Sequence, residues 1–229
     1  MDVQFLGGAR EVGRSAILVN DFLLLDYGML AGTPPRFPVA DPDPDAVVVS
    51  HGHLDHAGAV PALLSGESRP PIHWTPPTRE LAVTLAEDTL KLHGGSLQCP
   101  FTENDLRRVR GVSEAHGYGE PFPAAGHEIT FYNAGHIPGS AHVLVDDGDT
   151  RLLYTGDFHT ADQKLVSGTT ARPDADVVIC ESTYSDVDHD PRSEVEDRFA
   201  RSVEETLWEG GTVVVPAFAI GRTQELLLV

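Results

Sequence analysis

Ser50 to Pro61 reads SHGHLDHAGAVP. Three histidines and an aspartate, His51, His53, Asp55 and His56, fall within six positions, directly after the apolar run 46–49. Neutral imidazole and carboxylate are good ligands for zinc and related divalent ions. If the run is a strand whose geometry persists, His51 and His53 point to one side at its carboxyl end. Asp55 and His56 follow where the chain turns into a helix, so they can face a second point in space. One such cluster is not a complete site. His136 in NAGHIPGS is bracketed by Gly135 and Gly139, and Asp157 in LLYTGDF follows a glycine. Each sits where a strand leaves the core, which is where sheet-based folds build sites. Asp26 in LLLDYG reads as a carboxylate that supports ligands rather than as a ligand itself. His73, His93, His116, His127, His142, His159 and His189 have no comparable setting and read as surface or packing residues. Cys180 reads as a small core residue.

These residues need strand ends to hold them. Residues 3–27 alternate short apolar runs with turns, and Asn20-Asp21 looks like a hairpin tip. The Pro/Asp-rich segment 31–45 is an exposed loop. A buried strand is expected at 46–50 and a short helix from about 56 to 65. The period predicts a helix over 78–95, with Thr78 as N-cap and Gly94 just past its end. A shorter helix is expected over 102–111. Strands return with EITFYNAG, then a hairpin folded at Asp147-Gly148-Asp149, then ADVVICEST, whose apolar run predicts an interior strand. A long amphipathic helix over 191–211 precedes a strand TVVVPAFA and a new helix GRTQELLLV. Strand runs flanked by helices predict an α/β sandwich of two mixed sheets.

Composition narrows the setting. At 229 residues and 41% hydrophobic content, the chain can build a substantial core. No apolar run reaches the roughly 18 residues of a membrane span, so no membrane partner is expected. The N-terminus has no signal-peptide pattern. The two cysteines, Cys99 and Cys180, form no paired framework, which fits a reducing cytoplasm. Acidic residues outnumber basic ones 35 to 16, a formal charge of −19. The acids are interspersed with regular apolar periodicity, which excludes disorder as their explanation. They predict a surface adapted to molar salt, where self-repulsion is screened within about 3 Å, and an archaeal, halophilic source.

SHGHLDHAG, NAGHIPGSAH and YTGDF, in that order, resemble the metallo-β-lactamase superfamily and its αββα sandwich. GGAREVGRSAILV, VVICESTY and VVVPAFAIGRTQELLLV narrow the resemblance to the β-CASP nucleases. Among these the chain is similar to the endonuclease subunit of the cleavage and polyadenylation specificity factor and its archaeal relatives. The resemblance implies two zinc ions. His51, His53 and His136 would hold the first, Asp55 and His56 the second, and Asp157 would bridge them. Asp26 would orient the histidine loop. Glu181 would support a histidine acting as acid on the leaving oxygen. Asp55, Asp157 and Glu181 are thus the expected catalytic carboxylates. The implied reaction is hydrolysis of an RNA phosphodiester to 3′-hydroxyl and 5′-phosphate products, of the type that processes mRNA 3′ ends. Single-stranded RNA would be the substrate, and a homodimer or larger processing complex the assembly.

The same resemblance divides the chain into a metallo-β-lactamase domain over 1–186 and the beginning of a β-CASP domain over 187–229. The family's two later histidines, one completing the second metal's shell and one acting as acid, have no counterpart here. The sandwich's closing strands would also come later. The expectation is therefore an N-terminal part of a longer protein, with little ribonuclease activity of its own. Two other functions are compatible with parts of the pattern. One is a generic hydrolase of a small ester or thioester, against which ESTY and GRTQELLL argue. The other is a non-catalytic subunit, against which the intact HGHLDH, His136 and Asp157 argue.

Overall fold

The computed structural model describes residues 1–229. The chain begins with β1 (Val3–Gly7), β2 (Ala16–Val19) and β3 (Leu23–Leu25), an antiparallel meander. The β2–β3 turn is the expected Asn20-Asp21 tip, with φ of 49° and 63°. Two successive positive φ values match the right-handed twist of a tight hairpin. β4 (Ala46–Val48) then pairs parallel with β3. The histidine cluster follows, ending in a single turn, α1 (Leu54–Ala57), and a separate 3₁₀ turn over Val60–Leu64. The continuous helix expected over 56–65 is therefore broken; Gly58 and Pro61 fall at and just after the break.

β5 (Ile72–Trp74), α2 (Pro76–His93), α3 (Glu103–Val112) and β6 (Ser113–Ala115) complete the first sheet, ordered β1-β2-β3-β4-β5-β6. The N-cap of α2 is Thr75, not Thr78: its Oγ1 accepts from the Thr78 amide, and Pro76 and Pro77 occupy the first turn. Proline is tolerated there because those amides have no helical partner. Gly94 ends the helix as expected. α3 starts with a reciprocal capping box between Thr102 and Asp105.

The second sheet is β7 (Phe122–Ala124), β8 (His127–Asn133), β9 (Ala141–Asp146), β10 (Arg151–Tyr154) and β11 (Val177–Ile179), ordered β11-β10-β9-β8-β7. β9 and β10 are the expected hairpin, while β10 and β11 run parallel. Both sheets are thus mixed, and the α/β sandwich stands. β11 is not interior. It is an edge strand, with Val177 and Val178 44% and 56% exposed, and Cys180 beside it is exposed too. An apolar run specifies a strand but not its place in the order. α4 (Arg192–Trp208) buries no residue. Residues 212–219 form no strand, although their composition is β-rich, because no neighbouring strand pairs with them. α5 (Arg222–Leu227) closes the chain.

Two cores result. Ile17, Leu23, Leu25 and Val48 meet Ile129, Phe131, Val143 and Leu152 between the sheets. Leu24, Val47, Ile72 and Trp74, on the other face of the first sheet, meet Leu64, Leu106 and Val109. Alternation along β3 and β4 therefore buries both faces, which explains their continuous apolar runs.

The first sheet's parallel strands all end on one side, and the histidine loop is pinned there by main-chain bonds. Ser15 N donates to Asp55 O (2.8 Å), Tyr27 N to His56 O (2.8 Å) and Met29 N to Leu54 O (3.0 Å). Gly28 lies so close to the Asp55 carbonyl that any Cβ would collide with backbone. Gly66, by contrast, has open space around it. Gly28→Ala is expected to destabilise the chain by about 1–3 kcal/mol or more. Gly66→Ala should stay within about 0.5 kcal/mol of wild type in the same denaturant titration. Equal effects from the two would contradict the close packing of the histidine loop.

Candidate metal centre

Four connections deliver side chains to one end of the sandwich. β4 runs into His51 and His53, α1 carries Asp55 and His56, the β8–β9 loop carries His136, and the segment after β10 carries Asp157. The two sheets are joined at this end by Ala141 N donating to Ser50 O (2.8 Å). All six residues named from the sequence as ligands converge. Their donor atoms form two overlapping groups, His51–His53–His136–Asp157 and His51–Asp55–His56. His51 therefore stands in both groups, where the sequence placed it in one.

Asp157 faces both groups. Its Oδ1 is 3.3 Å from His56 Nε2, while its Oδ2 is 3.7 Å from His136 Nε2 and 3.9 Å from His51 Nε2. His136 Nε2 lies 3.2 Å from His53 Nδ1, and His56 Nε2 lies 4.0 Å from Asp55 Oδ2. His51 is fully buried, and its Nε2 has no hydrogen-bond partner. A buried polar atom without a partner is costly and rare. Here it points at a carboxylate and other imidazole nitrogens, which is the chemistry of a divalent-metal donor set. The residues present fit such an ion.

The supporting contacts are dense. Asp26, with no exposure, accepts from Ser50 N (2.7 Å), Ser50 Oγ (2.7 Å) and Tyr154 Oη (2.7 Å). It also meets His56 Nδ1 at 2.7 Å. That contact places a proton on Nδ1 and turns Nε2 toward Asp157. Ser50 Oγ also lies 3.1 Å from His51 Nδ1. In the His136 loop, Ser140 Oγ accepts from the amides of His136 (3.0 Å) and Ile137 (3.2 Å). Gly135 adopts φ 71°, packed against the backbone of His159 and Thr169, where a side chain would not fit. Gln163 Nε2 donates to the carbonyls of Gly135 (2.8 Å) and His136 (3.0 Å).

Glu181 follows β11 and stays outside both donor groups; its carboxylate accepts from Thr183 N (3.0 Å). It is close enough for its charge to act on His136. The segment after α4 also reaches the site. His53 Nε2 lies 3.3 Å from Ile220 O, and the Phe218 ring is 6.5 Å from that of His53. Glu225, buried, accepts from the amides of Lys164 (3.0 Å) and Leu165 (2.6 Å) and from Arg192 (2.7 Å). These contacts tie α5 to the loop that carries Gln163. Ser50, Tyr154, Gln163, Ile220 and Glu225 carry no sequence signal for this site, because only the folded topology brings them to it. His159 and His189 are exposed, as expected, and His142 is packed between Thr155 O and Thr169 Oγ1.

The histidines differ in charge preference. Burial drives the pKa of His51 well below its ordinary value, helped by the neighbouring imidazoles. Burial also pushes His136 down to about 4. Burial opposes the His56 cation, but Asp26 and Asp157 outweigh it and raise its pKa well above the ordinary value. Burial likewise opposes ionisation of Asp157, yet His56 holds that carboxyl at about 2. His51 and His136 are thus neutral near pH 7, with lone pairs free for a metal.

The chain belongs to the metallo-beta-lactamase superfamily, which it matches over residues 11–189. It is 38% identical to "RNase aCSPSF2" of Saccharolobus solfataricus over 99% of its length and 48% of that protein. It is 33% identical to "Probable RNase MJ4" of Methanocaldococcus jannaschii, over 100% of its length and 56% of that protein. It is 37% identical to "Transcription termination factor FttA" of the same organism, over 99% of its length and 38% of that protein. The chain therefore spans about half the length, or less, of these curated relatives. A solved protein of unknown function from Enterococcus faecalis has the same fold, with TM-score 0.56 at 15% identity over 89% of this chain and 57% of that one.

In the metal-free chain, proton NMR should show His136 titrating near 4 and His56 well above 6.5. The signs are opposite. Stability from His56 is present below about 6.5 and lost as pH rises through its raised folded value, whereas His136 costs stability as pH falls below about 6.5. An ordinary midpoint for both rings would contradict the geometry.

Proposed function

We propose that this chain carries the metal centre of a zinc-dependent ribonuclease that hydrolyses phosphodiester bonds of single-stranded RNA. The observation that carries the reading is the placement of Asp157, one oxygen toward His56 and the other toward His51 and His136. One carboxylate can thereby serve two ions at once. The names of the relatives, two of them RNases, support RNA as the substrate class.

His51, His53 and His136 would hold one zinc, Asp55 and His56 the second, and Asp157 would be shared by the two. The chemistry such ions would supply is polarisation of the scissile phosphate and activation of water near neutral pH. The protein's part is positional. Asp26 keeps the His56 proton on Nδ1, so that Nε2 faces the centre. Main-chain bonds from Ser15, Tyr27 and Met29 hold the histidine loop, and Gln163 holds the His136 loop. Glu181 acts beside the centre, supporting the acid that protonates the leaving oxygen. Water adds to phosphorus and the bond to the 3′ oxygen breaks, leaving a 3′-hydroxyl and a 5′-phosphate.

Residues 1–186 form the metallo-β-lactamase domain in this reading, and 187–229 open a β-CASP domain; the family match ending at residue 189 supports that division. The protein works in the cytoplasm of a halophilic archaeon, as a homodimer or within a larger RNA-processing assembly. The formal charge of −19 supports the salt adaptation. No helix is long and apolar enough to cross a membrane.

The test is cleavage of end-labelled single-stranded RNA by the complete protein in molar salt with added zinc. His53→Ala and Asp157→Ala should each lower turnover at least about 100-fold, since loss of even an outer-sphere partner costs 10–100-fold. RNA binding should change little, and His189→Ala should alter neither. Zinc lost from the chain on His53→Ala/Asp157→Ala, after purification without chelator, should lie between one and two per chain. Retention of most turnover by His53→Ala would contradict the metal mechanism.

A further inference from the structure

A second cluster of metal-ligating side chains lies at the β5–β6 edge of the first sheet. His73 on β5, Glu114 on β6 and His116 just after it bring their donor atoms within 4.8 Å of one another. The backbone dictates this meeting. His73 and Glu114 are register partners on parallel strands, so their side chains leave on the same face. His116 is two residues beyond Glu114, which returns it to that face. His116 N donates to Trp74 O (2.9 Å), extending the ladder through this residue.

The geometry points to a zinc site here, with His73, Glu114 and His116 as protein ligands and water completing the shell. His73 Nδ1 lies 3.0 Å from His116 Nε2 and 3.6 Å from Glu114 Oε2. Tetrahedral zinc with bonds of 2.0–2.1 Å separates its ligand atoms by roughly 3.3 Å, between those two values. His73 Nε2 is buried with no partner, so Nδ1 is the nitrogen of that ring that reaches the cluster. Both rings are fixed by Phe122 of the second sheet. The His116 ring stacks on it at 3.6 Å and 7°, the His73 ring at 5.2 Å and 29°. Burial lowers the pKa of both imidazoles, although Glu114 opposes it, so both keep lone pairs near pH 7. Glu114 is exposed, which gives an ion a route in from solvent.

The consequence is mechanical. β6 is the edge strand of the first sheet and β7, carrying Phe122, is the edge strand of the second. A metal held by these three side chains would tie β5 to the edge strand β6 beneath that ring, through ligands separate from those of the His51–Asp157 centre. Without metal, the His73–His116 contact is a hydrogen bond between two neutral rings and holds the edge more weakly.

The experiment counts zinc by native mass spectrometry after dialysis against buffered Zn²⁺. The chains compared are wild type, Glu114→Gln, His116→Gln, and a His53→Ala/Asp157→Ala chain with and without His116→Gln. Circular dichroism checks each fold; Glu114→Gln changes an exposed side chain and guards against misfolding of His116→Gln. We expect each single edge variant to hold one zinc fewer than wild type. The His53→Ala/Asp157→Ala chain should keep one zinc and lose it on adding His116→Gln. Added zinc should also raise the Tm of wild type more than that of Glu114→Gln. Unchanged zinc content in both edge variants, or no zinc in the His53→Ala/Asp157→Ala chain, would overturn the site. Failure of the main centre would look different: zinc content insensitive to His53→Ala/Asp157→Ala but sensitive to His116→Gln.

Discussion

Asp26 is a carboxylate with no exposure, held among groups from both sheets. Left unpaired, such a charge would be prohibitively expensive. It is paired instead with the amide and hydroxyl of Ser50, the phenol of Tyr154 and the Nδ1 of His56. Ser50 follows β4, Tyr154 ends β10 and His56 lies on α1. One buried anion therefore locks the ends of two sheets and a helical turn into a single arrangement. Every residue of the metal centre lies within a few positions of a group that Asp26 holds, except His136. The His136 loop has its own clamp, made by Ser140 and Gln163.

The concentration of imidazoles is a second constraint, and it follows from the first. The ring of His51 lies 4.1 Å from that of His56 and about 5 Å from those of His53 and His136. Four such rings cannot all be cations at these distances. Asp26 and Asp157 assign the charge to His56, and burial keeps His51 and His136 neutral. The result is a set of lone pairs aimed at one place, with one buried nitrogen lacking any partner. Such a set is pre-organised, so a metal need not reorder the loops on binding.

The sequence exposes the parts of this structure that are local. HGHLDH announces ligands because the residue types and spacing are themselves the signal. Asn20-Asp21 and Asp147-Gly148 announce hairpins because their backbones tolerate positive φ. What depends on partners was not legible. The apolar run of β11 reads as interior, yet strand order places it at an edge. Residues 212–219 have strand composition and no strand to pair with. Thr75 and Thr78 are equally good caps by type, and two prolines between them decide in favour of the first. His73 and His116 carry no joint signal 43 residues apart, since only the β5–β6 register brings them together. The same holds for Glu225, whose partners lie about sixty residues away.

The central claim is that one carboxylate, Asp157, is shared by two metal ions. Anomalous diffraction at the zinc edge, from crystals grown with zinc, tests it directly. The account predicts two peaks about 3.5–4 Å apart. One should lie among His51, His53 and His136, the other beside Asp55 and His56, with an Asp157 oxygen on each. No anomalous peak within this cluster, or peaks that Asp157 does not touch, would contradict it.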